Sequence, residues 1–297
     1  MNLIKPNKLK EGDTIAIIAP AGEVDEERIN FSEKYFKSKG YNVKFGAHLN
    51  KKRRYLAGDD NERIEDIHSA FEDSTVDAII CARGGYGAIR LINNIDYNII
   101  RNNPKIFCGY SDITALSAMI LKKAGLITFS GPMAQSDFGE ENINKFTESQ
   151  FWNTLTNKGS LMIQNINGKI YRSGQAKGIT FGGNLSTIAS LCGIDFLPDE
   201  KFIFFAEDIN EDVYKIDRYF RQLLNISKFK NNISGILLGE FINNGNSTWL
   251  DELFTELSTD LNIPVYSGYQ ISHDKNKFTI PIGAEAELNN GLLKIQY

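Results

Sequence analysis

The segment around Ser111 has the composition of a junction between a strand and a helix. Ile106–Cys108 is a short apolar run that predicts the end of a strand, and apolar residues at helical spacing after Asp112 predict a helix. The turn between them places the Ser111 hydroxyl at a helix N-terminus, where N–H groups and the helix dipole favour negative charge. This arrangement is typical of a nucleophilic serine. Serine is also a preferred helix cap, so the segment alone leaves a purely structural role for Ser111 open.

A nucleophilic serine needs a base that accepts its proton and a group that orients the base. The chain has three histidines. His48, beside a lysine run, and His68, on a predicted helix, are expected at the surface. His273 lies in a polar loop between two predicted strands, where an incidental histidine is the alternative to a base. Glu207 ends an apolar run and is either a partner for a histidine or a charge at a helix N-terminus.

A glycine-rich turn, Arg83-Gly84-Gly85-Tyr86-Gly87, follows the apolar run Val76–Cys81. Glycines let the backbone approach a ligand closely, so N–H groups here could hold a phosphate or form part of an oxyanion hole. The turn lacks the spacing of a P-loop and is a weak match to a dinucleotide-binding turn. A nucleotide-binding protein is therefore an alternative on these residues.

Both turns lie at the ends of strands in a predicted alternation of strands and helices. The apolar runs Thr14–Ala19 and Val76–Cys81 are typical of buried parallel strands, and amphipathic helices are predicted at Glu26–Lys39 and Asn61–Phe71. This order predicts an α/β domain with a doubly wound parallel sheet, which binds ligands at the carboxyl ends of its strands. The position of Ser111 at such an end favours a chemical role.

The pattern of predicted strands and helices changes twice along the chain. Residues 1–135 are predicted to form the α/β domain, residues 136–175 a linker region, and residues 176–297 a β-rich C-terminal domain. Within the linker region, Phe146–Thr154 predicts a helix and Met162–Arg172 predicts a β-hairpin.

The composition is that of an ordinary globular protein, with 42% hydrophobic and 24% charged residues. A formal net charge of −4 provides no basic field for nucleic acid, and the one basic run, Lys51–Arg54, lacks an aromatic ladder. No signal sequence or long apolar run is present, so we expect no membrane span and a cytoplasmic location. Cys81, Cys108 and Cys192 are expected to be free thiols, and no spacing predicts a metal or cofactor.

Taken together, these segments resemble the LD-carboxypeptidase family of serine peptidases, the muramoyltetrapeptide carboxypeptidases, which also includes the microcin C immunity peptidases. The motifs follow the family's order over nearly the whole chain, and they are Ile17–Ala21, Ala82–Gly87, Gly109–Leu116, Ser130–Met133, Gly182–Ser186, Glu207-Asp208, Ile216–Arg218 and His273 ahead of Pro281–Gly283. The resemblance implies an N-terminal flavodoxin-like domain and a β-rich C-terminal domain, with the active site in the cleft between them.

The resemblance further implies a catalytic triad. Ser111 matches the nucleophile, His273 the general base and Glu207 the acid that orients the imidazole. One departure concerns Ser272, because the family usually has glycine immediately before the histidine. A side chain there is expected to change the conformation of the loop.

The implied oxyanion hole consists of backbone N–H groups. One belongs to Asp112, the residue after the serine, and the other to Gly84 or Gly85 in the glycine-rich turn. Such donors would stabilise the negative charge that develops on the carbonyl oxygen under attack.

The implied substrate is a murein tetrapeptide, cut at the amide bond to its terminal D-alanine. Arg83 and Arg218 are candidates to meet the terminal carboxylate, and Tyr86 is a further candidate contact. Microcin-type members carry an aromatic residue that stacks on a nucleobase after Gly-Gly-Asn-Leu, whereas Ser186–Cys192 has none. A peptidyl-nucleotide amidase and a non-catalytic binding protein are the two alternatives.

Family members are often dimers, so a homodimer is a further hypothesis. We expect no cofactor, and neither nucleic acid nor a membrane as a partner.

Overall fold

The computed structural model describes residues 3–157 and 159–297. Apolar runs in the first half of the chain become neighbouring strands of one parallel sheet, because helices on both sides bury its two faces. The strands are β1 (Thr14–Ile18), β2 (Asn42–Phe45), β3 (Ala78–Cys81), β4 (Ile106–Cys108) and β5 (Thr128–Ser130), and the helices are α1 (Glu26–Ser38), α2 (Asp60–Glu72), α3 (Tyr97–Asn102), α4 (Thr114–Ala124), α5 (Ala134–Phe138) and α6 (Lys145–Thr156).

The first five strands lie in the order β2-β1-β3-β4-β5, and all of these pairs are parallel. This is the flavodoxin-like doubly wound order, which confirms the predicted fold class. The chain leaves β1 toward β2 on one side and later returns to β3 on the other side. The carboxyl ends of β1 and β3 therefore form the point where the strand order reverses.

The second half of the chain forms a larger, mixed sheet. Its strands and the remaining elements are β6 (Ser160–Gln164), β7 (Ile170–Arg172), β8 (Gln175–Asn184), α7 (Leu185–Ser190), β9 (Phe202–Ile209), α8 (Val213–Leu224), α9 (Ser227–Asn232), β10 (Ile233–Ile242), α10 (Ser247–Leu261), β11 (Val265–Ser267), β12 (Ile280–Ile282), β13 (Glu285–Asn289) and β14 (Leu292–Gln296). Among the described residues, no helix has both the length and the apolar character needed to cross a membrane.

The predicted hairpin at Met162–Arg172 is wrong. The larger sheet has the order β6-β14-β13-β8-β9-β10-β11-β7, so β6 and β7 lie at its opposite edges. A flat sheet of this width would separate its edges by about 34 Å, whereas the connection 165–169 can span only about 20 Å. The sheet must therefore curl until its two edge strands approach each other.

The chain then returns to the first sheet. β12 pairs antiparallel with β5, with Pro281 opposite Phe129, and so becomes the sixth strand of that sheet. The loop between β11 and β12 carries His273 and crosses from one sheet to the other. The first sheet thus includes β12 from the C-terminal part of the chain, and the second sheet includes β6 and β7 from the predicted linker region. The predicted domain boundaries at residues 135 and 175 stay a prediction.

A buried ion pair holds this loop. Lys277 Nζ contacts a carboxylate oxygen of Asp137, and their side chains are only 6% and 8% exposed. The same ammonium lies 4.7 Å from the ring centroid of Tyr110. The backbone N–H of Lys277 donates to Thr147 Oγ1 at 3.0 Å. The segment that contains Asp137 and Thr147, predicted as a linker, therefore anchors the loop of His273.

We expect Lys277→Met to destabilise the protein, because it leaves the Asp137 carboxylate buried without its cation. The free energy of unfolding should fall by about 3–5 kcal/mol, measured by urea denaturation at neutral pH. The double variant Lys277→Met/Asp137→Asn removes both charges and keeps an oxygen for the N–H of Met133, which donates to Asp137 at 2.9 Å. It should recover most of the loss. Equal stability of the single and double variants would contradict the importance of the ion pair.

Candidate active site

Ser111 lies at the carboxyl end of β4 in a strained backbone conformation. Its φ angle is 61°. Among the described non-glycine residues with positive φ, the others are Arg54 and asparagines, and asparagine tolerates this region well. Ser111 starts a short 3-10 turn, Ser111–Ile113, that leads into α4, and neither helix start has a side-chain cap. Ser111 is therefore not a helix cap and lies on the kind of strained strand-to-helix turn that holds nucleophilic serines.

The glycine-rich turn after β3 passes directly beside Ser111. A Cβ atom on Gly84 would lie 2.8 Å from Ser111 Cβ, 3.0 Å from its Oγ and 3.4 Å from the backbone nitrogen of Asp112. Only glycine fits at this distance. At Gly85 the φ angle of 112° has the same effect. The glycine-rich turn is therefore packed against the Ser111 side chain, with the backbone nitrogen of Asp112 close by.

Two buried charged side chains support the glycine-rich turn. The Asp112 carboxylate accepts a hydrogen bond from the N–H of Ala88 at 2.7 Å. The guanidinium of Arg63, which is 1% exposed, donates to the carbonyls of Gly87 at 3.0 Å and Pro20 at 2.7 Å. Burial raises the pKa of Asp112 to about 6, although the hydrogen bond from Ala88 and the charge of Arg63 oppose the rise. These groups fix the loops after β1 and β3 relative to the turn of Ser111.

Glu207 and His273 are in direct contact. Glu207 Oε2 lies 2.6 Å from His273 Nδ1, and the two side chains are 4% and 15% exposed. The Asn184 amide donates to Glu207 at 3.3 Å and to Asp208 at 2.9 Å, which orients both carboxylates. With Nδ1 bound to a carboxylate, Nε2 is the nitrogen of His273 that can accept a proton.

His273 packs against the residue that precedes Ser111. The rings of Tyr110 and His273 meet edge to face, with their centroids 5.1 Å apart. Among the hydrogen bonds of the described residues, none joins Ser111 to His273. Bonds of this kind are often long without substrate and tighten when substrate binds. The structure therefore joins Glu207 to His273 and places this pair beside the turn of Ser111.

Ser272, the departure from the family pattern, is buried and fully hydrogen-bonded. Its hydroxyl donates to Glu240 Oε2 at 2.6 Å and accepts from the N–H of Asp274 at 2.7 Å. Its backbone is outside the left-handed region, so a side chain causes no strain there. The serine ties the loop of His273 to the end of β10.

The three predicted substrate contacts lie in two places. Arg83 and Tyr86 face an open cavity of about 480 Å³ at the glycine-rich turn. Arg218 is exposed on α8, where its guanidinium lies over the ring of Tyr214 at 5.4 Å. The structure therefore brings Arg83 and Tyr86 to the turn beside Ser111 and leaves Arg218 on a separate helix.

Sequence reasoning missed three supporting residues, namely Arg63, Asn184 and Lys277. Asn184 had a usable signal, because asparagine between a strand and a helix is a typical cap, and its Oδ1 accepts from the N–H of Thr187 at 3.1 Å. Arg63 and Lys277 had none, since a charged residue in a polar segment is normally at the surface. Within residues 3–157 and 159–297, no group of three or more His, Cys, Asp or Glu side chains is placed so that it could bind a metal ion.

Gly84→Ala should displace the Ser111 side chain. The φ angle of Gly84 is outside the left-handed region, so alanine can adopt this backbone conformation without strain. Its Cβ atom would, however, clash with Ser111 Cβ. We expect the rate of labelling by a serine-reactive fluorophosphonate to fall about 100-fold. Ser111→Ala provides the background, and the thermal unfolding midpoint checks that the variant is folded. Labelling at the wild-type rate would contradict the close approach.

The raised pKa of Asp112 should make stability depend on pH. Below about pH 4 the carboxyl group is protonated in both the folded and the unfolded chain and contributes nothing. As pH rises toward 6, the unfolded chain releases this proton first, so the free energy of unfolding falls, by about 3 kcal/mol in all. Asp112→Asn keeps an acceptor for the N–H of Ala88 and removes this dependence. Urea denaturation of both proteins across this range measures the difference, and a difference that is constant with pH would contradict the assignment.

Comparison with known proteins matches both halves of the chain to one family. Residues 15–131 match the LD-carboxypeptidase N-terminal domain, and residues 177–288 match the LD-carboxypeptidase C-terminal domain. A protein of Bacillus subtilis (strain 168) named probable murein peptide carboxypeptidase is 36% identical over 298 residues, which cover 96% of this chain and 91% of that protein.

Two solved structures are similar over the whole chain. The MccF-like protein from Bacillus anthracis has a TM-score of 0.91 and 30% identity, with 99% of each chain covered. Muramoyltetrapeptide carboxypeptidase from Oxalobacter formigenes has a TM-score of 0.85 and 32% identity, with 96% of this chain and 99% of that chain covered. With matches to both domains and similarity along its whole length, the chain belongs to the LD-carboxypeptidase family and is a serine-type carboxypeptidase.

Proposed function

We propose that this protein hydrolyses the amide bond between a murein tetrapeptide and its terminal D-alanine, in cell-wall recycling. The observation that carries the proposal is the contact between Glu207 and His273, held beside the strained turn of Ser111. The names of two relatives, a murein peptide carboxypeptidase and a muramoyltetrapeptide carboxypeptidase, support the substrate class.

The proposed reaction proceeds through an acyl-enzyme. Ser111 Oγ attacks the carbonyl carbon of the scissile amide while His273 Nε2 accepts the hydroxyl proton. Glu207 stabilises the imidazolium that forms. His273 then donates this proton to the amide nitrogen, the C–N bond breaks and D-alanine leaves. A water molecule, deprotonated by His273, attacks the ester, and its proton returns to Ser111 as the peptide acid is released.

The oxyanion of each tetrahedral intermediate is proposed to bind the backbone N–H groups of Asp112 and of Gly84 or Gly85. The close packing of Gly84 against Ser111 supports this role, because the donors must already be in place when charge develops. Loss of one such donor typically costs about 100- to 1,000-fold in kcat.

Substrate contacts are proposed at Arg83 and Tyr86, which face the cavity beside the glycine-rich turn. Arg218 stays a candidate for the terminal carboxylate. The homodimer, the domain limits and the cytoplasmic location stay predictions.

A second candidate function is cleavage of a peptidyl-nucleotide. The similarity to the MccF-like protein favours it. The absence of an aromatic side chain in Ser186–Cys192, where the resemblance places a base-stacking residue, argues against it, since base stacking is worth about 1–3 kcal/mol. The murein peptide is therefore the better-supported substrate.

Release of D-alanine from free murein tetrapeptide, detected by mass spectrometry, tests the proposal. We expect release by the wild type and a loss of at least about 1,000-fold in kcat for Ser111→Ala, His273→Ala and Glu207→Gln. His48→Ala is the matched control, because His48 pairs with the exposed Glu65 at 3.2 Å.

Undiminished release by Ser111→Ala would contradict the triad. Cleavage of a peptidyl-adenylate analogue without cleavage of the tetrapeptide would establish the second candidate in its place.

A further inference from the structure

An open cavity of about 480 Å³ lies where the strand order of the first sheet reverses, between the carboxyl ends of β1 and β3. It is lined by Gly22, Glu23, Tyr55, Arg83, Gly85 and Tyr86. Doubly wound sheets bind their ligands in the crevice at this point. The N–H of Gly22 donates to the carbonyl of Gly84 at 3.1 Å, and Gly84 packs on Ser111. The floor of the cavity is therefore continuous with the backbone beside the proposed nucleophile.

Two tyrosine rings form an exposed wall of this cavity. Tyr55 is 54% exposed and Tyr86 is 48% exposed. Their ring centroids are 5.6 Å apart, and the rings meet edge to face. The two residues come from different segments, one ahead of α2 and one in the glycine-rich turn, so tertiary folding assembles the pair. Exposed aromatic surface gathered in a cleft is typical of a ligand contact.

The lining of the cavity carries one guanidinium, that of Arg83, and one carboxylate, that of Glu23, which pairs with Lys52 at 3.6 Å. The guanidinium of Arg83 donates to the carbonyl of Glu23 at 3.3 Å, and none of the salt bridges among residues 3–157 and 159–297 includes it. Of the basic run Lys51–Arg54, Lys51 pairs with Glu62 and Lys52 with Glu23, whereas Arg54 lies over the ring of Tyr55 at 5.5 Å. A guanidinium that lines a cleft without a carboxylate partner favours an anionic ligand group.

The size of the cavity indicates which part of a substrate it receives. Its volume lies within the range of about 300–1,000 Å³ that accommodates drug-sized ligands. The departing D-alanine is far smaller than such a ligand. The larger part of a tetrapeptide lies on the amino side of the scissile bond and becomes the acyl group on Ser111.

We propose that this cavity is an acyl-side subsite, which binds the peptide stem on the amino side of the scissile bond, and that Arg83 pairs with a free carboxylate of the stem. The proposal rests on the proposed function. A glutamyl residue linked through its side-chain carboxyl group leaves its α-carboxylate free and would offer such an anion. The rings of Tyr55 and Tyr86 would pack on the aliphatic parts of the stem.

The test compares two synthetic tetrapeptides that both end in D-alanine. Their second residue is a γ-linked glutamate with either a free α-carboxylate or the corresponding carboxamide. We expect wild-type kcat/KM to be at least about tenfold higher for the carboxylate. Arg83→Gln should lose this preference, and Arg83→Lys should retain part of it. Tyr55→Ala should raise KM for both peptides. Phe45→Ala, which removes an aromatic ring that is 42% exposed on β2, is the control with unchanged kinetics.

Equal kcat/KM on the two peptides, or a preference that persists in folded Arg83→Gln, would overturn the subsite and leave the proposed function intact. If the wild type releases D-alanine from neither peptide, the proposed function fails, and calorimetry with the tripeptide product then decides the subsite by itself. Weaker tripeptide binding by Arg83→Gln than by the wild type supports it, and absence of wild-type binding overturns it. Binding of AMP that Tyr55→Ala abolishes would likewise overturn it in favour of a nucleotide.

Discussion

The hydrogen bond between Glu207 and His273 depends on how the two sheets are placed relative to each other, because each residue is positioned by a different part of the chain. Glu207 lies near the end of β9 in the curled sheet, whereas His273 lies in the loop that leaves this sheet and leads to β12 in the other. Because β12 pairs antiparallel with β5, the loop crosses the boundary beside the turn of Ser111. An imidazole oriented by a carboxylate keeps one nitrogen available for proton transfer. The relative placement of the two sheets therefore determines whether the three residues can act together.

Buried polar contacts hold that placement more narrowly than apolar packing does. Apolar side chains tolerate small shifts, but a buried hydrogen bond or ion pair loses its partner when the geometry changes. The loop of His273 is held by such contacts on both sides, through Ser272 to Glu240 and through Lys277 to Asp137. Arg63 does the same for the glycine-rich turn. These residues take no part in the proposed reaction, but they hold His273 and the glycine-rich turn in position.

Much of the fold and of the candidate site was predictable from local sequence. The apolar runs correctly predicted β1, β3 and β4, and amphipathic spacing predicted α1 and α2 within a residue or two. The turn at Ser111 was predicted as a strand-to-helix junction, and its φ angle of 61° agrees with a strained turn. Motifs spread along the chain also pointed to the family, which the matches to both domains confirm. Such features depend on neighbouring residues, so the sequence displays them directly.

Other features arose only in the tertiary structure. The pattern of Met162–Arg172 predicted strands correctly but not their partners, because alternation of apolar residues is the same whichever strand lies alongside. The burial of Arg63 and Lys277 and the pairing of Tyr55 with Tyr86 depend on segments that are distant in sequence. The sequence by itself therefore determined the family, the strand and helix types and the candidate reactive residues. The tertiary structure decided strand pairing, the supporting charges and the cavity, because each requires contacts between residues far apart in the chain.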